Sequence, residues 1–495
     1  MFWYLHLAVT KALWVDQWTM LEEIWRFLDG RFGIGYLWAP YWGQRILIPR
    51  LVFLIDYRFF HFSNGPLVAV NIVCQCGAAI VLMALEWRAL RERSHMLAFT
   101  SIAVTAHLTL SALQMENFVY GMSVQYEIGY GAAVAALALP GLLRRRWIVF
   151  VCALISTLSI AVGVLVWPVL ALELWWLKAR RLAVASVAAT GLGIAVVYSI
   201  AYQRPEMGMG LAGMARRPFH AIFIAAMYLG GPLSLASVKA GAAVGIFGLA
   251  LAGLWAWRAA KKSPERAALI AICVFLGLSA FAIAGGRISP EFLASFHGAP
   301  PLPSRYFTPP YFFWACLLAV AFGSRSRVAA LLTGLVAAGL TLGTIRWEWQ
   351  AGPNWFAHTR LMDAAASGFF VGAWDPEYMS PMVPDQRLLD HWTPYLREHQ
   401  LSVFAEPRAT WTGKRISDLP AAFAPCQGEI GELFPTGGDT RRARGTIPRN
   451  GKLDIAFVDS SGIVAGTGRT IGDGRFLGYV RDLRGGRLSL VCGGS

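Results

Sequence analysis

Runs of about twenty apolar residues recur along this chain, and each is closed by a short basic hinge. As a helix, such a run reaches about 30 Å, the thickness of a bilayer's hydrocarbon core. The hinges are "WRALRERSH" (87–95), "LLRRRW" (142–147), "KARR" (178–181), "WRAAKKSPER" (257–266) and "GSRSR" (323–327). Only 15% of the 495 residues are charged and 56% are hydrophobic, too little charge to coat a soluble body of this size. The pattern predicts a mainly α, polytopic bundle of about ten to twelve membrane helices. The net charge of +15 sits in the hinges and not on a soluble face. The bilayer is therefore the expected partner, and nucleic acid is not.

Short Lys/Arg-rich loops mark the cytoplasmic side. With the hinges inside, the spans are 66–86, 96–113, 125–142, a broken pair over 148–177, 182–203, 238–258, 266–285, 307–324 and 328–345. Residues 114–124 and 286–306 then lie outside, as does everything after Arg346. Residues 204–237 require a re-entrant segment or a helical hairpin. The stretch 45–62, "RILIPRLVFLIDYRFFHF", would bury four charges as a span. It reads instead as an amphipathic helix in the membrane interface. Residues 18–28 read likewise, with Trp18, Leu21, Trp25 and Leu28 on one face. Residues 16–64 become a large outer loop. Met1–Val15 is about 22 Å of helix, short for the span that must precede that loop, so a start inside a longer first helix is expected.

The chain divides into three regions: 1–346 as membrane domain, 347–406 as an external helical linker, and 407–495 as an external β-rich domain. The last shows short alternating strands, "KLDIAFVDS", "GIVAG", "RFLGYV" and "RLSLVC", the pattern of a small β-sandwich. Five of the seven cysteines lie in spans, where a thiol is packing material. Cys426 and Cys492 bracket the external domain, and a disulfide there would stabilise it by about 4 kcal/mol. No HExxH or paired CxxC pattern suggests a metal, and "GMGLAG" (208–213) follows no strand, so it is no dinucleotide loop.

Four short motifs carry the chemistry: "DQW" (16–18), "RILIPRL" (45–51), "ENFVYGMSVQ" (116–125) and "SRY" (304–306). Their order, and the outer side they share, resemble the C-type (GT-C) glycosyltransferases, and within them a poorly characterised bacterial group. The resemblance implies an integral enzyme of the bacterial inner membrane. It would transfer a sugar from a polyprenyl-phosphate donor to a glycan or lipid acceptor of the cell envelope, with its C-terminal domain periplasmic. No cofactor is demanded, although a divalent Mg or Mn ion belongs to the same chemistry. Where the group usually carries Asn-Glu-His, this chain has Trp42, Gly43 and Gln44, so no role of that Glu or His carries over.

Such a transfer needs a base for the acceptor hydroxyl and cations for the departing phosphate. Asp16 is the expected base, and Arg45, Arg50, Arg287 and Arg305 are the expected phosphate ligands, being arginines on the outer side. Glu116, Asn117, Gln125 and Tyr306 are expected to hold substrate, with Trp18, Trp38 and Trp42 offering apolar faces. Each has a plainer reading. Asp16 could cap a helix, the arginines could snorkel to headgroups, and the tryptophans could anchor in the interface. At the level of the whole chain, a transporter of a lipid-linked glycan or a membrane scaffold fits the same composition.

Overall fold

The structure is a computed structural model that describes residues 9–31, 33, 35–142, 146–200, 210–259, 263–286, 304–324, 327–420, 423–448, 451–481 and 488–494. Helices dominate up to Glu398, and an antiparallel sheet occupies the C-terminal part. Among the described residues five helices are long and apolar enough to cross a membrane: Gly65–Leu90, His95–Val119, Arg181–Ser199, Val238–Trp257 and Pro264–Gly286. The stretch His95–Val119 is not one rod, because its α-helix ends at Thr109 and resumes only at Met115–Val119. The expected broken pair is a helix Arg146–Thr157, a short tight turn and a second helix Val166–Trp176.

A single apolar core joins most of these helices. At its centre lies Thr308–Phe322, every residue of which is buried. Around it the helices Pro218–Leu229 and Val238–Ala259 approach backbone to backbone. A Cβ on Gly245 would fall 1.8 Å from the carbonyl oxygen of Ala226, so only glycine permits that packing. The outer helices leave large apolar side chains uncovered, among them Leu182, Leu192 and Trp257. Water does not tolerate so much of that surface, and lipid does; the helical body is compatible with membrane association.

A second core is built from distant pieces of chain: residues 12–62, 115–128, 362–404 and two positions of the last sheet. Here two expectations need correcting. The apolar face of the helix Asp16–Leu28 is covered by protein, for Trp18, Leu21 and Ile24 are buried inside this core. Nor are residues 347–406 a linker. One helix runs from Arg327 to Ala365, 39 residues, straight through Arg346 and past Pro353, and the shorter segments between Phe369 and Phe404 pack into the same core.

The helix Leu47–Phe60 exposes an apolar stripe. Arg50 and Asp56 are buried beside Pro49 and Phe53, while Leu51, Ile55 and Phe59 point outward one turn apart. A helix in water hides its apolar stripe, so this one is suited to lipid.

The C-terminal unit has seven strands: β1 (Ala424–Pro425), β2 (Glu429–Gly437), β3 (Thr440–Thr446), β4 (Leu453–Val458), β5 (Val464–Gly472), β6 (Arg475–Arg481) and β7 (Ser489–Gly494). They form one antiparallel sheet in the order β1-β7-β4-β5-β6-β3-β2, and not the two sheets of the expected sandwich. One face encloses a small core around Ile455, Phe457, Phe476 and Leu490. The opposite face of β6 lays Leu477 and Tyr479 against the helical segment, beside Phe369 and Met379. Cys426, just beyond β1, is bonded to Cys492 in β7, with Cα atoms 5.6 Å apart.

Two buried ionic clusters lock sheet to helices. Arg408 donates to Glu406 at 2.5 Å, to Ser367 at 2.9 Å and to the Asp363 carbonyl at 2.8 Å. Arg469 reaches Asp454 at 2.7 Å, with Asp363 and Glu406 each at 3.4 Å. Further along, Arg442 and the Tyr479 hydroxyl meet on Asp375, at 3.1 and 3.0 Å.

Candidate functional site

The site begins at the start of the Asp16–Leu28 helix. Val15 precedes it with φ 44°, a left-handed conformation that a β-branched residue enters only under strain. That kink separates the directions of Trp14 and Asp16. Asp16 is the first residue of the helix and Val15 holds the cap position, so Asp16 is not the cap of the plainer reading. Its partner is distant in sequence. Tyr120 donates its hydroxyl to Asp16 Oδ2 at 3.3 Å and accepts the Asp16 backbone N–H at 3.3 Å. Burial first, and then the Asp16 carboxylate, push the Tyr120 phenol well above its usual range. It therefore stays protonated as a donor.

The other two residues of "DQW" are structural. Gln17 donates to Asn64 at 3.0 Å, and Asn64 in turn donates to the carbonyls of Thr10 and Val119 at 3.3 and 3.2 Å. Gly121 lies directly under that pair. A Cβ there would sit 2.1 Å from Asn64 Oδ1 and 2.7 Å from Gln17 Nε2, which explains the glycine in "ENFVYG". Trp18 is 1% exposed and donates to the Met382 carbonyl at 3.1 Å. It offers no face to a sugar; Trp42, at 63% exposed, does.

"ENF" and "SRY" are bound to each other. Glu116 Oε1 holds the Arg305 guanidinium at 2.7 Å, while Oε2 accepts from Ser304 Oγ at 2.8 Å and from the Arg305 backbone N–H at 3.2 Å. Burial is the largest single influence and works against the Arg305 charge, but Glu116 with the Tyr306 and Tyr126 phenols together outweigh it and hold the guanidinium charged. Asn117 donates to the Arg305 carbonyl at 3.1 Å and to Thr308 Oγ1 at 2.8 Å. Thr308 also meets Gln114 at 2.6 Å and Glu127 at 3.1 Å. Tyr306 is buried against the rings of Tyr126 and Tyr228.

One short segment, 116–120, therefore carries the partners of both Asp16 and Arg305, and the charges of both act on the Tyr120 phenol. Among the described residues, Asn117 Oδ1, Gln125 Oε1 and Glu127 Oε2 are buried acceptors without a hydrogen-bond partner. Folded proteins rarely leave such atoms bare.

The expected phosphate ligands divide. Arg305 is at this wall with its side chain 36% exposed. Arg45 and Arg50 are spent inside the fold, a correction to their expected role. Arg45, 4% exposed, donates to the carbonyls of Trp38 and Ile200 and lies over the Trp38 ring. Arg50, fully buried, pairs with Glu23 at 3.0 Å, donates to the Ala39 carbonyl at 2.6 Å and covers Tyr36. Both are buried, so neither presents its guanidinium to solvent. Arg287 lies outside the described residues.

Two members of the wall were not anticipated from sequence. Tyr120 lies within a quoted motif, where only its neighbours drew notice. His358 carries no local signal at all. It comes from the long helix, and its ring meets Trp14 at 5.6 Å and Trp355 at 5.3 Å. On its other side Trp14 meets Tyr120 at 4.7 Å. No group of three or more His, Cys, Asp or Glu side chains that could hold a metal occurs among the described residues.

No family model, no curated protein and no solved structure matches this chain.

Proposed function

We propose that the chain is a polytopic membrane glycosyltransferase of GT-C type. On this reading it works at the outer face of a bacterial inner membrane and uses a polyprenyl-phosphate sugar as donor. Asp16 takes the proton of an acceptor hydroxyl of an envelope glycan or lipid. The freed oxygen bonds to the anomeric carbon, and the bond from that carbon to the phosphate oxygen breaks. The electron pair leaves with the polyprenyl phosphate, which Arg305 steadies.

The observation that carries the reading is the shared segment 116–120. Through Tyr120 and Glu116 it holds an open carboxylate and a part-exposed guanidinium in one wall. A base and an anion ligand side by side are the minimum for this transfer. The apolar outer helices and the exposed apolar stripe of Leu47–Phe60 support a membrane setting for it.

The test is transfer by the full-length protein in lipid nanodiscs, supplied with a panel of radiolabelled polyprenyl-phosphate sugars and envelope extract. Asp16→Asn should keep the fold and donor binding but lose about 10²- to 10⁴-fold in turnover, since only proton acceptance is removed. A folded Asp16→Asn protein with wild-type turnover would take Asp16 out of the mechanism. A wild-type protein that transfers no sugar but moves the lipid across the bilayer would replace the transferase with a transporter.

A further inference from the structure

His358 is placed like a ligand residue and not like a packing one. Histidines that only pack usually give one ring nitrogen to a nearby carbonyl, as His399 does with the Tyr395 carbonyl at 3.0 Å. His358 makes no such bond among the described residues. Its ring is half-buried between Trp14 and Trp355, and Trp14 in turn lies against Tyr120, the partner of Asp16. Its ring nitrogens are not among the buried atoms left without a partner, so they reach solvent and are open to a ligand.

The charges of the wall say what could meet them. Asp16 and Glu116 are negative, and Arg305 is the one positive side chain bound among them. The sum is one negative charge, a poor reception for an anion. Arg360, two residues beyond His358, is turned over the Phe356 ring and does not correct it. By gaining a proton, and with Asp16 left free to act as the base, His358 would offset that sum. Burial holds its pKa below the ordinary 6.5, against the pull of Glu116, so the empty site keeps the ring neutral.

We propose that His358 is a second phosphate ligand of this site, binding a phosphoryl oxygen opposite Arg305 and taking up a solvent proton as the anion arrives. Naming that anion as the donor's phosphodiester rests on the transferase reading above. The binding of a phosphodiester does not, so the two can fail separately. Glu116 from the Met115–Val119 segment is the charged group that acts on the ring; Arg305 is paired to Glu116, and Asp16 lies beyond Trp14 and Tyr120. They are common to wild type and variant.

The probe is dioctyl phosphate, whose single charge does not titrate near neutrality, bound to the full-length protein in nanodiscs. Wild-type affinity should rise about tenfold from about pH 7.5 to about pH 5.5, as expected of a charged hydrogen bond gained with a proton. His358→Phe keeps a ring between the tryptophans but loses both nitrogens; it should bind weakly and without that slope. If His358→Phe retains wild-type affinity and slope, the proposal is wrong. Nitrogen NMR of histidine-labelled wild-type protein decides the matter even if the variant misfolds. One imidazole should pass from neutral to charged as the probe is added, and no change in any histidine would overturn the assignment.

Discussion

Two polar clusters lie in the same half of the molecule and are built on opposite terms. Between sheet and helices, Arg408 and Arg469 give every guanidinium nitrogen to Glu406, Asp363, Asp454 or Ser367. In the wall made by "ENF" and "SRY", Glu116 and Arg305 pair, yet three buried acceptors around them stay unmet and Asp16 has one partner. A saturated buried network specifies a structure, whereas an incomplete one keeps capacity for something else. Clusters of similar composition are thus told apart by what they leave undone.

The contrast can be broken most directly at Arg408. Arg408→Ala takes from Glu406 its nearer partner, leaving it Arg469 at 3.4 Å, and removes the donor to the Asp363 carbonyl; it should cost about 3 kcal/mol of stability. Denaturant unfolding of the full-length protein measures it, and a loss below about 1 kcal/mol would mean that the network is not what holds the sheet. Arg305→Ala should behave in the other sense. Buried Glu116 keeps its hydrogen bonds from Ser304 Oγ and the Arg305 backbone N–H, so the melting temperature should fall less than in Arg408→Ala. Binding of a polyprenyl-phosphate donor should weaken by about 1.5 to 3 kcal/mol; a large stability loss with unchanged binding would make the wall structural.

The smallest effect separates the clusters by acid. The pKa of His358 is lowered by burial. Its neutral form is the folded one, and its contribution to stability is present above about pH 6.5 and is lost as pH falls below that. Glu406 is pushed up by burial and, more strongly, pulled down by Arg408 and Arg469. Its contribution holds above its ordinary 4.5 and is lost only as pH falls through the lower folded value. A pH series of melts should show a shallow loss beginning near His358's range, abolished in His358→Phe, and a second loss at stronger acid, abolished in Glu406→Gln.

Much of the helical layout was legible because a period or a run length states it: the break near Ser159, the helices at 16–28 and 47–60, and the apolar stretches. The cover over a helix face is not written in its period. Trp18 and Leu21 share a face with Trp25, but only the fold shows that residues from 362 to 404 cover it. Arginines are equally mute. Arg45, Arg50 and Arg305 look alike in sequence, and the difference is made by carbonyls and carboxylates brought from elsewhere. Residues 347–406 read as a linker because prolines interrupt their helical pattern; the long helix runs past one of them, Pro353. Strand positions could be read from alternation, but not that β4 pairs with β7 and β3 with β6, since such pairings join distant pieces of chain. His358 was invisible for the same reason.

The helix Arg327–Ala365 spans 39 residues, about 58 Å of unbroken rod. It presents His358 to Trp14 and, five positions later, Asp363 to Arg469. Both are fixed to one shaft, so their angles are set by a count of residues. Each residue added or removed upstream would rotate the pair by about 100° and shift it by about 1.5 Å. The sheet and the candidate site are therefore in phase, and an insertion that touches neither could put both out of step.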